Sequence, residues 1–67
     1  MLLAYARLLM TPAEFKQIRI HAGLSQKQFA EAIGITERTV RRWEKQSGDL
    51  DLRKSILDKV ERISGEI

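Results

Sequence analysis

The chain has 67 residues, no cysteine, a single histidine, a formal net charge of +3 and a pI of about 9.7. That is enough for one small domain, which buries only about 60% of its unfolded surface and has neither a disulfide nor a Cys/His metal cluster to staple it. The basic balance favours a polyanionic partner, and the absence of cysteine fits a reducing cytoplasm.

Met1 to Met10, MLLAYARLLM, is apolar with Arg7 as its one charge. It falls short of the roughly 20 residues that span a bilayer, and it lacks the basic start and small-residue cleavage site of a secretory signal. Leu2, Tyr5, Ala6 and Leu9 match helical spacing. Three readings stand: a short helix completing the core, a dimer contact, or an upstream extension with Met10 as the start.

Thr11-Pro12-Ala13-Glu14 opens a first helix, with Thr11 as cap, Pro12 at the first position and Glu14 closing a capping box. Phe15, Ile18, Arg19 and Ala22 share one face, and Gly23 ends the helix in a left-handed conformation. Arg19 lies on or beside the apolar face, either snorkelling or in a buried ion pair. His21 is alone near the helix C-terminus and is read as structural or solvent-facing.

Ser25 opens a second helix with Gln28 at the box position. Phe29, Ala30 and Ile33 face inward, and Gly34 stops the helix after about two turns with the positive φ a sharp turn needs. Thr36 then caps a third helix, 36–46. Two helices joined by a short glycine-bearing turn form a helix-turn-helix. Ala30 is small where the two helices cross.

The third helix has two faces. At about 100° per residue, Glu37, Arg38, Arg41, Arg42 and Lys45 fall within an arc of roughly 140°, with Val40 and Trp43 opposite. Four of the 12 basic side chains thus share one face of one helix, and a helix of that width fits the major groove of B-DNA, about 12 Å across. Ser47-Gly48 is a loop, and Asp49 or Asp51 is expected to cap a fourth helix. Its apolar stripe is Leu52, Ile56, Val60 and Ile63, widened by Leu57, and Gly65 ends it.

Arg19…Gly23-Leu24-Ser25-Gln26…Ala30…Gly34-Ile35-Thr36…Thr39-Val40…Trp43-Glu44 resembles the phage-repressor/Cro-like (Xre-type) helix-turn-helix family. The resemblance covers roughly residues 11–46, and the fourth helix continues it. It implies an all-α, lambda-repressor-like DNA-binding domain: a compact bundle of four to five helices over residues 11–67, preceded by the apolar segment 1–10. It also implies roles at matching positions. Gln26 looks like the family's glutamine that bonds a DNA phosphate and braces the recognition helix. Glu37, Arg38 and Arg42 match positions that reach base edges, and Arg41 and Lys45 flanking positions that touch bases or phosphate. Arg19 and Glu44 match a partly buried salt bridge between the first and third helices. The chain lacks the proline often found after the loop that follows the third helix, and stops where many relatives carry a fifth helix with the dimer contact. The N-terminal segment or the fourth helix then stands in for that contact.

The chemistry of these residues sorts them further. Arg38, Arg41 and Arg42 are suited to guanine O6 and N7. Glu37 either accepts from a cytosine amine or orients Arg41 by an i,i+4 pair, the second being favoured. Gln26, Lys27, Thr36 and Lys45 are the expected phosphate contacts, with Arg53 and Lys54 as further candidates. Arg19, Ala30, Gly34, Val40, Trp43 and Glu44 are structural. No nucleophile–base pair, carboxylate pair or phosphate-cradling loop stands out, so no enzyme, metal or cofactor is expected. The expected function is a sequence-specific regulator of transcription in the cytoplasm of a bacterial or phage-infected cell: a small homodimeric repressor of a two-fold double-stranded DNA operator, often its own, of the phage or anti-CRISPR-operon kind. The alternative is a protein-interaction module, such as a toxin-neutralising antitoxin or a phage adaptor, with DNA binding secondary.

Overall fold

The computed structural model describes residues 9–65. In chain order these form β1 (Leu9–Met10), α1 (Pro12–His21), α2 (Gln26–Ile33), α3 (Glu37–Lys45), β2 (Leu50–Asp51) and α4 (Lys54–Gly65). The fold is the expected all-α bundle, with four helices among the described residues and one addition, a two-stranded antiparallel sheet pairing Leu9 with Asp51 and Met10 with Leu50.

The helix starts follow from local chemistry. Thr11 Oγ1 accepts from the Glu14 N–H at 3.1 Å, and Glu14 Oε1 accepts from the Thr11 N–H at 3.1 Å. Ser25 and Gln28 repeat the exchange at 3.0 and 2.9 Å. Each box satisfies two backbone donors that a helix start would leave unpaired. At α3, Thr36 Oγ1 accepts from the Thr39 N–H at 3.1 Å.

Between α2 and α3 the chain turns at Gly34, whose φ is +80°. The Gly34 and Ile35 N–H groups both donate to the Ala30 carbonyl, at 2.9 and 3.0 Å. A side chain at Gly34 would be strained by that φ, and its Cβ would lie 3.3 Å from Lys59 Nζ. Glycine is therefore required by the turn, while the flexible tip of Lys59 could give way to a Cβ.

The core joins all the elements. Phe15, Phe29, Ile33, Val40, Leu50 and Val60 are fully buried, with Met10, Ala30, Leu52 and Leu57 beside them. The ring of Phe15 meets Phe29 edge-on at a 5.1 Å centroid distance and Trp43 at 5.6 Å. Burying a large side chain of this kind stabilises by about 1.5–3 kcal/mol, so one aromatic on α1 anchors both helices of the motif.

At two places the structure departs from the sequence pattern. Helix α4 does not start at a cap formed by Asp49 or Asp51. It begins at Lys54, and its first bonds, from the Ile56 and Leu57 N–H groups, end on the Arg53 carbonyl. The reason is the run Leu50-Asp51-Leu52, buried, exposed, buried, which is the period-two pattern of a strand rather than a helix. Met10, expected in a helical or accessory segment, lies in strand β1 and is 3% exposed within the core. The remaining readings of the N-terminal segment fall on residues 1–8, outside the described residues.

Ala30 is 2% exposed at the helix crossing. Ala30→Leu should cost about 1–3 kcal/mol through overpacking, read as a lower urea midpoint; an unchanged midpoint would show that the crossing has room to spare.

Candidate nucleic-acid interface

Helix α3 presents Arg38, Arg41, Arg42 and Lys45 as exposed side chains, while Val40 is buried and Thr39 and Trp43 are half-buried. Its two faces are thus separated as the periodicity requires. Arg38 and Lys45 lie near the centre of the outward face, with Arg41 and Arg42 roughly 50° to either side.

The inward side is held by a charged junction as well as by apolar packing. Arg19 Nε donates to Glu44 Oε2 at 2.6 Å and Arg19 Nη2 to Glu44 Oε1 at 3.2 Å. The two side chains are 14% and 4% exposed. Gln26 Nε2 donates to the same Oε1 at 3.0 Å, and Arg19 Nη1 donates to the Leu24 carbonyl at 3.0 Å. One carboxylate on α3 is therefore bonded from α1 and from the first residue of α2. The bidentate fork fixes direction as well as distance.

The expected structural residues come together in this arrangement. Arg19 and Glu44 form the bridge, Ala30 and Val40 lie in the core, Trp43 packs on Phe15, and Gly34 makes the turn. The Leu24 carbonyl as an acceptor for Arg19 and the Gln26 amide as a donor to Glu44 are additions. Nothing in the residue pattern marked the carbonyl, whereas Gln26 at the first turn of α2 was already read as a brace.

The expected DNA-facing residues divide into free and engaged groups. Glu37 Oε2 lies 3.3 Å from Arg41 Nη2, an i,i+4 ion pair with 41% and 51% exposure, which is the favoured of the two readings of Glu37. Lys27, Arg38, Arg42 and Lys45 are exposed with no ion-pair partner among the described residues. The Thr36 hydroxyl is engaged in its cap and meets Thr39 Oγ1 at 2.9 Å. Gln26 has given one Nε2 proton to Glu44 and keeps a second. Of the two further candidates, Arg53 lines a recess with Thr36 and Thr39, and Lys54 lies 3.8 Å from Asp58.

A family model described as helix-turn-helix matches residues 15–62, from the first turn of α1 to the last turn of α4. The chain belongs to the Cro/C1-type (Xre-type) helix-turn-helix family. No curated protein and no solved structure matches it. Within the helix-turn-helix, α2 and α3 are the two motif helices, Gly34 is at their turn, and α3 stands where such proteins carry the recognition helix. The family is one of DNA-binding transcription regulators. Among the described residues, no helix is long and apolar enough to cross a membrane.

Removing Glu44 would leave Arg19 in place without its counter-charge. Glu44→Ala should cost about 3–5 kcal/mol, a large part of the stability of so small a domain, measured as a fall in the thermal midpoint. An unchanged midpoint would mean that the bridge contributes nothing to holding α3.

Proposed function

We propose that this chain is a sequence-specific repressor that binds double-stranded DNA as a homodimer, with α3 in the major groove. The observation that carries the reading is the exposed cationic face of a helix whose opposite face is locked by the core and by Glu44. A helix is about 10–12 Å across with its side chains, which matches the groove width of about 12 Å. In this reading Glu37, Arg38, Arg41 and Arg42 face base edges. Gln26, through its second Nε2 proton, and Lys27, Thr36 and Lys45 face phosphates, with the Thr36 contact coming from the start of α3, since its hydroxyl already serves the cap.

One helix reads only a few base pairs, so useful selectivity calls for two copies on a two-fold operator with half-sites about 34 Å apart, or a multiple of that. Among the described residues Ile20 is the one exposed large apolar side chain. In this reading α4 or the segment before β1 makes the dimer contact, and residues 11–67 form the DNA-binding domain. Bound at a promoter, such a dimer occludes polymerase. In this reading the operon is the regulator's own, of the phage or anti-CRISPR kind, in the bacterial cytoplasm.

A titration against the chain's own upstream DNA and a scrambled duplex, at two salt concentrations, tests the reading. Tight, selective binding that weakens steeply with salt is expected, and weak binding equal on both duplexes would sink it. Arg38→Ala should cost about 1–3 kcal/mol and relax selectivity at one base pair. Lys45→Ala should weaken binding to all duplexes alike and reduce the salt slope by about 0.9.

A further inference from the structure

The outward surface of α3 contains one acid among four cations, and its position is informative. Glu37 is the first residue of α3, in the turn that a recognition helix turns toward base edges. At about 100° per residue it lies next to Arg41, roughly 90° from the centre of the cationic face. Its carboxylate holds the Arg41 guanidinium at 3.3 Å, and both side chains stay about half exposed. An exposed pair of this kind stabilises a helix little. The fold has no need of it either, because Thr36 and Thr39 supply the cap.

Against DNA the pair has a definite effect. A carboxylate beside the phosphate backbone is repelled, so Glu37 lowers affinity for every duplex. An arginine without a partner can turn to a phosphate wherever the helix lands, and that contact carries no sequence information. Paired with Glu37, Arg41 is biased toward one direction. The repulsion is relieved only where a base edge offers an N–H donor. In the major groove those donors are the cytosine N4 and adenine N6 amines, whereas guanine and thymine present oxygen or nitrogen acceptors. Glutamate and aspartate pair with cytosine N4, and arginine with guanine O6 and N7, so a carboxylate and a guanidinium side by side match neighbouring cytosine and guanine.

We propose that Glu37 is the discriminating residue of this interface, withholding Arg41 from phosphates and admitting half-sites that place a cytosine amine under Glu37 beside a guanine under Arg41. This rests on the DNA-reading role of α3 proposed above. It extends that role to the class of operator, G·C at the base pairs met by the first turns of α3, and to a residue that gains selectivity at the expense of affinity.

Selection from a duplex pool with a randomised centre, run in parallel with wild type, Glu37→Ala, Glu37→Gln and Arg41→Ala, tests the proposal. Wild type should enrich half-sites with adjacent cytosine and guanine. Glu37→Ala should bind the unselected pool more tightly, with a salt slope steeper by about 0.9 as Arg41 takes a phosphate. It should lose the cytosine preference, narrowing the ratio of selected to random DNA roughly tenfold. Glu37→Gln should shift that base toward adenine, which glutamine pairs with. Arg41→Ala should lose the guanine and show no such steepening. Thermal midpoints close to wild type will separate these effects from misfolding. Enrichment by wild type of half-sites without that cytosine, or an unchanged preference and slope in Glu37→Ala, overturns the role of Glu37 while leaving the DNA-reading role intact. Failure of wild type to enrich any sequence strikes the DNA-reading role itself.

Discussion

Glu44 is the point on which three helices agree. Its two oxygens accept from Arg19 on α1 and Gln26 on α2 while the backbone that carries it belongs to α3. A carboxylate that is 4% exposed loses most of its hydration, and the attraction of a single cation often fails to offset that loss. Here the offset is distributed over three N–H donors, and the arginine's remaining fork reaches the Leu24 carbonyl. Among the described residues no buried side-chain nitrogen or oxygen lacks a partner. An apolar substitute could fill the same space, but it would not dictate the rotation of α3 about its own axis. The bridge does constrain it, because both carboxylate oxygens are bonded by one guanidinium fork. The direction of Arg38, Arg41 and Arg42 is thereby set from behind.

The apolar packing works to the same end with few residues. Phe15 touches an aromatic on each of the next two helices, and Val40 closes the base of α3. With no disulfide and no metal cluster among the described residues, the stability of the fold comes from these contacts, two capping boxes and the turn at Gly34. The outer face of α3 contributes almost nothing to the core. It is free to be set by the ligand, which is why an acid can stand among four cations without harm to the fold.

Much of this was legible in the residues. Capping boxes are local, so Thr11/Glu14 and Ser25/Gln28 were readable from spacing alone, as was the need for glycine at position 34. The Arg19–Glu44 bridge was readable once the helix-turn-helix resemblance set the register between the first and third helices, and the Glu37–Arg41 pair from its i,i+4 spacing. The sheet was not. Each strand has two residues, too short to show a pattern, and the pairing joins distant parts of the chain. Asp49 and Asp51 looked like caps because acids before an apolar stripe usually are. Leu50, Asp51 and Leu52 do alternate in burial, but three residues are too few to tell a strand from a helix start. For the DNA-facing residues, sequence and structure supply exposure and direction, while the bases they meet belong to the ligand.

That small sheet also gives the domain a time order. The α2–α3 hairpin is built from contacts close in sequence, which form quickly. Met10 meets Leu50 across a separation of 40 residues, so closing that loop carries an entropy cost that grows with its length. On these grounds the pairing is expected to form later than the α2–α3 hairpin. Contacts formed after the folding barrier act chiefly on the rate of escape from the native state. On that expectation the sheet is a clasp on the bundle: it adds little to how fast the α2–α3 hairpin is built and acts on how long it stays in place.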